Sequence, residues 1–108
     1  MEKKIYEKVA PDPGKLSKLL LDFYRIEFSN QADRVLRRIA EREPALYQRV
    51  AHALDDLERD PFQGKSLKGQ LKGRYSYRIG SYRIIYLVHR HQLLVLIIDI
   101  GHRRDIYR

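Results

Sequence analysis

The sequence predicts an α+β fold in the order β-α-α-β-β-β, with two helices packed on one face of a largely antiparallel sheet. Three observations lead there. Residues 74–100 hold three apolar runs back to back, separated by the turn residues Gly80-Ser81 and the short polar stretch Arg90-His91-Gln92. Residues 30–60 carry two apolar stripes at helical spacing. A cleanly alternating run at 23–28 precedes them, with Tyr24, Ile26 and Phe28 on one face.

Residues 1–22 read as an N-terminal extension of unknown role. Ala10-Pro11-Asp12-Pro13-Gly14 breaks any regular structure, and a short helix over 15–22 would gather Leu16, Leu19 and Leu20 on one side. A tail, a partner-binding extension and an overlong translation start all fit. The domain proper is 23–108.

After the first strand, Ser29 is suited to cap a helix, because its hydroxyl can accept from an orphan backbone N–H of the first turn. From 30 to 42, Ala32, Val35, Leu36 and Ile39 follow the i, i+3, i+4, i+7 spacing of an amphipathic helix. Pro44 suits the first turn of a second helix, in which Leu46, Val50, Ala53, Leu54 and Leu57 form a stripe that ends at Asp60-Pro61. Each helix offers one apolar face, and the sheet is where both can bury it. Residues 62–73, FQGKSLKGQLKG, read as a connecting loop with three glycines and three lysines, without the spacing of a nucleotide-binding P-loop.

Three strands follow. Tyr75, Tyr77 and Ile79 alternate with Arg74, Ser76 and Arg78, so one face is expected to pack and the other to stay free. A slip of one residue would bury Arg74 and Arg78, which fixes the register. Residues 82–88 are rich in β-branched and aromatic side chains. Residues 93–100 are apolar except for Asp99, the pattern of a strand covered on both faces.

The chain of 108 residues is long enough for one core without disulfides or metals. It has no cysteine, which excludes a disulfide framework or a thiolate zinc site and fits the cytoplasm. No apolar run approaches the roughly 20 residues that span a bilayer, so no membrane association is expected. Charge is informative once divided. Residues 1–62 hold 12 Lys/Arg and 12 Asp/Glu, whereas 63–108 hold 10 Lys/Arg against Asp99 and Asp105, so the whole excess of +8 sits in the C-terminal part. Such a local field favours a polyanion through counterion release, and arginines interleaved with tyrosines on strands favour nucleic acid over a merely solvated surface.

S-L-K-G at 66–69, R-x-x-x-R at 74–78, Y-R-I-I-Y at 82–86 and G-H-R-R-D-I-Y at 101–107 resemble the RelE toxins of type II toxin–antitoxin pairs, within the RelE/ParE superfamily. The series lies in register along one β-α-α-β-β-β order and covers about 23–107. The resemblance implies a ribosome-dependent endoribonuclease that cuts mRNA in the decoding site and is held inactive by a cognate antitoxin. It implies catalysis without metal or other cofactor: the ribose 2′-hydroxyl attacks the adjacent phosphate, leaving a 2′,3′-cyclic phosphate and a 5′-hydroxyl. By matching motifs, Arg83, Arg103 and Tyr107 fall on the family's functional arginine, arginine and tyrosine, and Arg78 on a functional basic position. Ser76 stands where well-known members carry a second lysine, so one expected cation is missing and the general base is left open.

This chemistry needs a proton acceptor, a proton donor and cations for the phosphorane charge. Arginine suits the last task because its planar fork binds two phosphate oxygens and keeps its charge. Arg78, Arg83, Arg103 and Tyr107 are therefore the candidate catalytic set, with Tyr107 either stacking on a base or accepting the proton. Lys65, Lys68, Lys72, Arg74, His102 and Arg104 are the candidate RNA contacts, and His102 is a second candidate base because histidine titrates near neutrality. His89 and His91 flank a hairpin tip without a carboxylate cluster, so no metal site is expected. Tyr75, Tyr77, Tyr82 and Tyr86 are expected to pack within the sheet rather than stack on bases. Two other readings stay open: a ParE-like toxin that inhibits DNA gyrase on the same scaffold, and a catalytically silent RNA- or antitoxin-binding domain.

Overall fold

The computed structural model describes residues 23–102 and 104. Its elements are β1 (Arg25–Phe28), α1 (Asn30–Arg42), α2 (Pro44–Arg59), β2 (Lys65–Ser66), β3 (Tyr75–Ile79), β4 (Tyr82–His89) and β5 (Leu94–His102). The strands form one sheet in the order β1-β5-β4-β3-β2. Only the β1–β5 pair is parallel; the rest are antiparallel. The two helices cover one face of this mixed sheet, as the apolar stripes require. Ala32, Leu36 and Ile39 of α1 and Leu46, Val50, Ala53, Leu54 and Leu57 of α2 are all buried. They meet Ile26, Phe28, Ile79, Ile84, Tyr86, Val95, Ile97 and Ile100 from the sheet.

Ser29 joins the layers. Its Oγ accepts from the Ala32 N–H at 3.0 Å and donates to the Ile98 carbonyl at 2.6 Å, while its own N–H donates to Ile97 O at 2.8 Å. The cap that starts α1 is thus also a clamp on β5. There the β4–β5 register shifts: Ile85 pairs with Asp99 but Tyr86 pairs with Ile97, leaving Ile98 as the extra residue of a β-bulge. The bulge lets Ile97 and Ile100, three positions apart, both point into the helix-side core.

That arrangement corrects the expectation for β5. Its unbroken apolar run reflects a bulge and a second face only partly covered: Leu94 is buried, but Leu96 and Ile98 on the side away from the helices are half-exposed. A second correction concerns the loop at 62–73, which contains the short strand β2 and two 3-10 turns, Pro61–Gln63 and Gly69–Leu71. Two residues are too few for an alternation to be read, so the sheet has five strands where four were expected.

No helix among the described residues is long and apolar enough to cross a membrane. Residues 1–22, with the helix suggested for 15–22, lie outside the described residues.

Candidate functional site

β3 and β4 form a tight hairpin at Gly80-Ser81, and their register sets Arg78 directly across from Arg83. Gly80 adopts φ +58, a left-handed conformation that glycine takes without a Cβ penalty. Alternation assigns the faces. Tyr77 and Ile84 pair across the ladder on the helix side, where Ile84 is fully buried, so the Arg78–Arg83 pair lies on the other side. Both guanidinium groups turn back toward the hairpin. Arg78 Nε and Arg83 Nη1 each approach the Gly80 carbonyl at 3.5 Å, and Arg83 Nη1 also donates to Tyr82 O at 3.3 Å.

The two arginines line a cleft of about 540 Å³ with Gln63, Gly64, Lys65, Leu67, Ser76 and Tyr77. Among the described residues its lining holds three cations and no carboxylate. Lys65 reaches it through β2, whose register places Lys65 opposite Ser76. Ser76 itself departs from expectation. It is buried, at 6 % exposure, rather than free beside Arg78. Its cross-strand neighbours are Lys65 on one strand and buried Ile85 on the other, and it forms part of the cleft floor.

The cleft wall is held from behind. Tyr86 is fully buried, stacks on Tyr75 at 5.5 Å between centroids, and donates its hydroxyl to Pro61 O at 2.8 Å. Gly64 fits against it so closely that a Cβ there would collide with the Tyr86 hydroxyl and stand 2.9 Å from the Ser76 carbonyl oxygen. Phe62 continues the aromatic row edge-on to Tyr75 and Tyr24, with the Arg90 guanidinium 4.6 Å above its ring. Tyr77 donates to the Asp56 carboxylate at 3.0 Å.

Neither Tyr77 nor Tyr86 is a proton acceptor. Burial pushes the Tyr86 phenol far above its ordinary value. Burial, then the hydrogen bond to Asp56 and its charge, raises Tyr77. The sheet tyrosines pack, as expected, and Tyr77 and Tyr86 hold their protons at neutral pH.

The remaining candidates divide by position. Lys68 and Lys72 are exposed around the Gly69–Leu71 turn, in a loop closed at its base by the Leu67 N–H to Arg74 O bond of 2.9 Å. Arg74 is half-buried at the entry to β3. His102 is not brought to the arginine cleft: it pairs with Tyr82 across β4–β5, meets that ring edge-on at 5.6 Å, and lines a separate helix-side pocket with Arg38 and Gln31. The Arg104 N–H donates to His102 Nδ1 at 3.2 Å, which leaves the proton of the neutral ring on Nε2. Arg103 and Tyr107 lie outside the described residues. β5 does carry the chain toward the hairpin, since Gly101 is the cross-strand neighbour of Arg83. The feature missed in the sequence is β2, which turns Lys65 from a loop cation into one facing Ser76; no pattern of two residues could have signalled it.

Residues 26–107 match the family model described as the ParE toxin of the type II toxin–antitoxin system, parDE. The chain is 37% identical over 86 residues to toxin RelG of Mycobacterium tuberculosis, covering 79% of this chain and 97% of that relative. Among solved structures it is similar to a chain of the M. tuberculosis toxin–antitoxin complex RelBE2, with TM-score 0.66, 31% identity, and coverage of 75% of this chain and 99% of that one. A chain of the archaeal RelE–RelB complex from Pyrococcus horikoshii gives TM-score 0.62 at 27% identity, over 77% of this chain and 98% of that one.

Proposed function

The chain belongs to the RelE/ParE superfamily of type II toxin–antitoxin toxins, and from that footing we propose that it is a ribosome-dependent mRNA endonuclease restrained by a cognate antitoxin. The observation that carries this reading is the paired Arg78 and Arg83 in a cleft with Lys65 and, among the described residues, without a carboxylate. Like charges set face to face are unfavourable for folding unless an anion comes between them, and a phosphodiester is such an anion.

In this mechanism Arg83 and Arg103 bind the non-bridging oxygens of the scissile phosphate and take up the charge that grows on them as the 2′-hydroxyl oxygen attacks phosphorus. As the bond from phosphorus to the 5′-oxygen breaks, that oxygen takes up a proton while the 2′-hydroxyl gives one up, so the step neither consumes nor releases a proton overall. Arg78 extends the positive wall. Lys65, opposite Ser76, supplies a cation beside the position where related toxins carry lysine. Tyr107 is the proton acceptor or the stacking platform; surrounding cations are what would lower its phenol enough for the first role. Lys68, Lys72 and Arg74 extend the basic surface along the adjoining loop, and Arg104 does so at the end of β5. The antitoxin is an acidic segment with apolar anchors, complementary to this surface. The setting is the cytoplasm, where ribosomes and mRNA are found.

The description of the matching family model as a ParE toxin favours one second reading, inhibition of DNA gyrase on the same scaffold. A single experiment separates the two. The purified chain is added to translating ribosomes and the 5′ ends of the mRNA are mapped. Cuts in the decoding site that vanish in Arg83→Ala and Tyr107→Phe are the expected result. Intact mRNA together with impaired gyrase supercoiling overturns the nuclease and supports the second reading.

A further inference from the structure

Gly80 is approached by a third guanidinium. Arg49, from the middle of α2, extends past the edge of the helix layer and lies over the β3–β4 turn, where a Cβ on Gly80 would collide with its Nη2. Three elements thus deliver three guanidinium groups to one residue: Arg49 from α2, Arg78 from β3 and Arg83 from β4. Arg49 and Arg78 are exposed, and none of the three is ion-paired with a carboxylate among the described residues. Asp56, the carboxylate bound to β3, is engaged by the Tyr77 hydroxyl.

Exposed arginines normally spread away from one another and find acidic neighbours, as Arg25 does with Glu27 and Arg37 with Asp33. Convergence on a turn without such a neighbour leaves a concentrated positive site at the rim of the cleft. The site is open to solvent on the helix side of the turn as well as on the cleft side. Its guanidinium planes carry more N–H donors than the Gly80 and Tyr82 carbonyls can occupy. A single phosphate in the cleft would satisfy Arg78 and Arg83 but would leave Arg49 beyond the hairpin edge. A chain of phosphates that continues over the turn would meet all three.

We propose that Arg49 is an RNA-binding residue, and that with Arg78 and Arg83 it forms a saddle over the Gly80 turn that grips the sugar–phosphate backbone of the substrate strand outside the cleavage cleft. This rests on the RNA reading of the cleft and deepens it: the strand leaves the cleft across the β3–β4 turn toward α2. Arg49 acts on binding of the strand and touches no reacting atom.

The test uses the full chain and a single-stranded RNA oligonucleotide with 2′-O-methyl riboses, which cannot be cleaved by 2′-hydroxyl attack. Binding is measured against salt for the parent, Arg49→Ala and Arg49→Lys. One lost phosphate contact on a single strand lowers the slope of log affinity against log salt by roughly 0.7. Arg49→Ala should therefore bind several-fold more weakly at low salt, with a slope shallower by about that amount. Arg49→Lys should recover the slope but only part of the affinity, because the ammonium lacks the guanidinium's two-pronged geometry. In mRNA cleavage on ribosomes the effect should fall on KM and not on kcat. Thermal melting of Arg49→Ala alongside the parent establishes that the variant is folded.

If the parent binds the oligonucleotide and Arg49→Ala matches it in affinity and slope, the saddle is wrong while the cleft reading stands. If Arg49→Ala weakens binding to ribosomes without mRNA but not to the oligonucleotide, the contact is to ribosomal RNA and the proposed strand path is overturned. If the parent binds the oligonucleotide with the Arg49-dependent slope yet cuts no mRNA, the nuclease reading fails and the saddle survives it. A parent that binds no RNA overturns both.

Discussion

Replacing Tyr86 by Phe removes one oxygen atom from the centre of the fold, and its consequences can be worked in two directions. The ring is fully buried and stacked on Tyr75, so the substitution keeps the packing and deletes only the hydroxyl. That hydroxyl donates at 2.8 Å to the carbonyl of Pro61, itself a buried residue. The carbonyl is then left without this donor in a region closed to water, which costs about 1–3 kcal/mol. In a domain of this size each 1 kcal/mol lowers the melting temperature by roughly 4–8 °C. Tyr86→Phe should therefore melt at least several degrees below the parent at neutral pH.

The second direction is alkaline pH. Burial holds the Tyr86 phenol well above its ordinary value, so the native state keeps a proton that the unfolded chain releases above about pH 10. The native state then binds more protons than the unfolded one, and stability falls as pH rises. The contribution of this hydroxyl is fully present below pH 10 and fades above it, by at most about 1.4 kcal/mol per pH unit. Urea unfolding of parent and variant from pH 8 to pH 11 should show a constant gap that begins to close near pH 10. Tyr77, also raised, titrates in both proteins and cancels in the comparison. Melting of the variant together with the parent at neutral pH, or a gap that widens with pH, would refute the reasoning.

Three further substitutions test the supports around it. Ser29→Ala removes both the α1 cap and the donor to the β5 bulge, and should lower stability by about 1–2 kcal/mol in urea, with Ser29→Thr retaining most of it. Gly64→Ala drives a methyl into the Tyr86 hydroxyl and toward the Ser76 carbonyl, a loss of about 1–3 kcal/mol; in the Tyr86→Phe background the hydroxyl clash goes while the approaches to the Ser76 carbonyl at 2.9 Å and to the ring carbon Cζ at 3.1 Å remain, so the two changes should couple measurably in a double-mutant cycle. Asp56→Asn takes the carboxylate from Tyr77, and tyrosinate absorbance against pH should show that one phenol titrating lower than in the parent, with a stability change under about 1 kcal/mol because the pair is exposed.

The sequence was most legible where a period extends over many residues. The stripes of α1 and α2 name the buried residues of both helices, with Val35 half-buried at the margin of the first, because the spacing repeats over two turns in α1 and three in α2. Ser29 was legible because capping is local chemistry. The bulge at Ile98 was not, since an extra residue in one strand is defined only by its partner's register. Ser76 is a related case: alternation assigns it a face but says nothing of which strands flank it there, here β2 with Lys65 and β4 with Ile85. The arginine pair was foreseeable from a turn flanked by Arg78 and Arg83. Arg49 was not, because on a helical wheel it is one more exposed cation, and only the docking of α2 brings it to Gly80.

The division of labour in the sheet leads to a final expectation. Stability comes from the helix side, where the apolar side chains of both helices meet those of β1, β3, β4 and β5. The hairpin end of the other face holds Arg78 opposite Arg83, and like charges directly across a ladder work against folding by about 0.2–1 kcal/mol. Arg78 returns little for this, since it is exposed and its bond to Gly80 O is 3.5 Å long, at the outer limit for a hydrogen bond. Arg78→Gln should therefore be as stable as the parent or slightly more so at low ionic strength. The difference should shrink as salt screens the pair, because the Debye length falls to about 3 Å at 1 M. The same variant should bind RNA more weakly and with a shallower salt dependence. Loss of stability in Arg78→Gln at low salt would mean that this arginine is held for the fold rather than for an anion, and the cleft would then lose one of its three cations as a functional group.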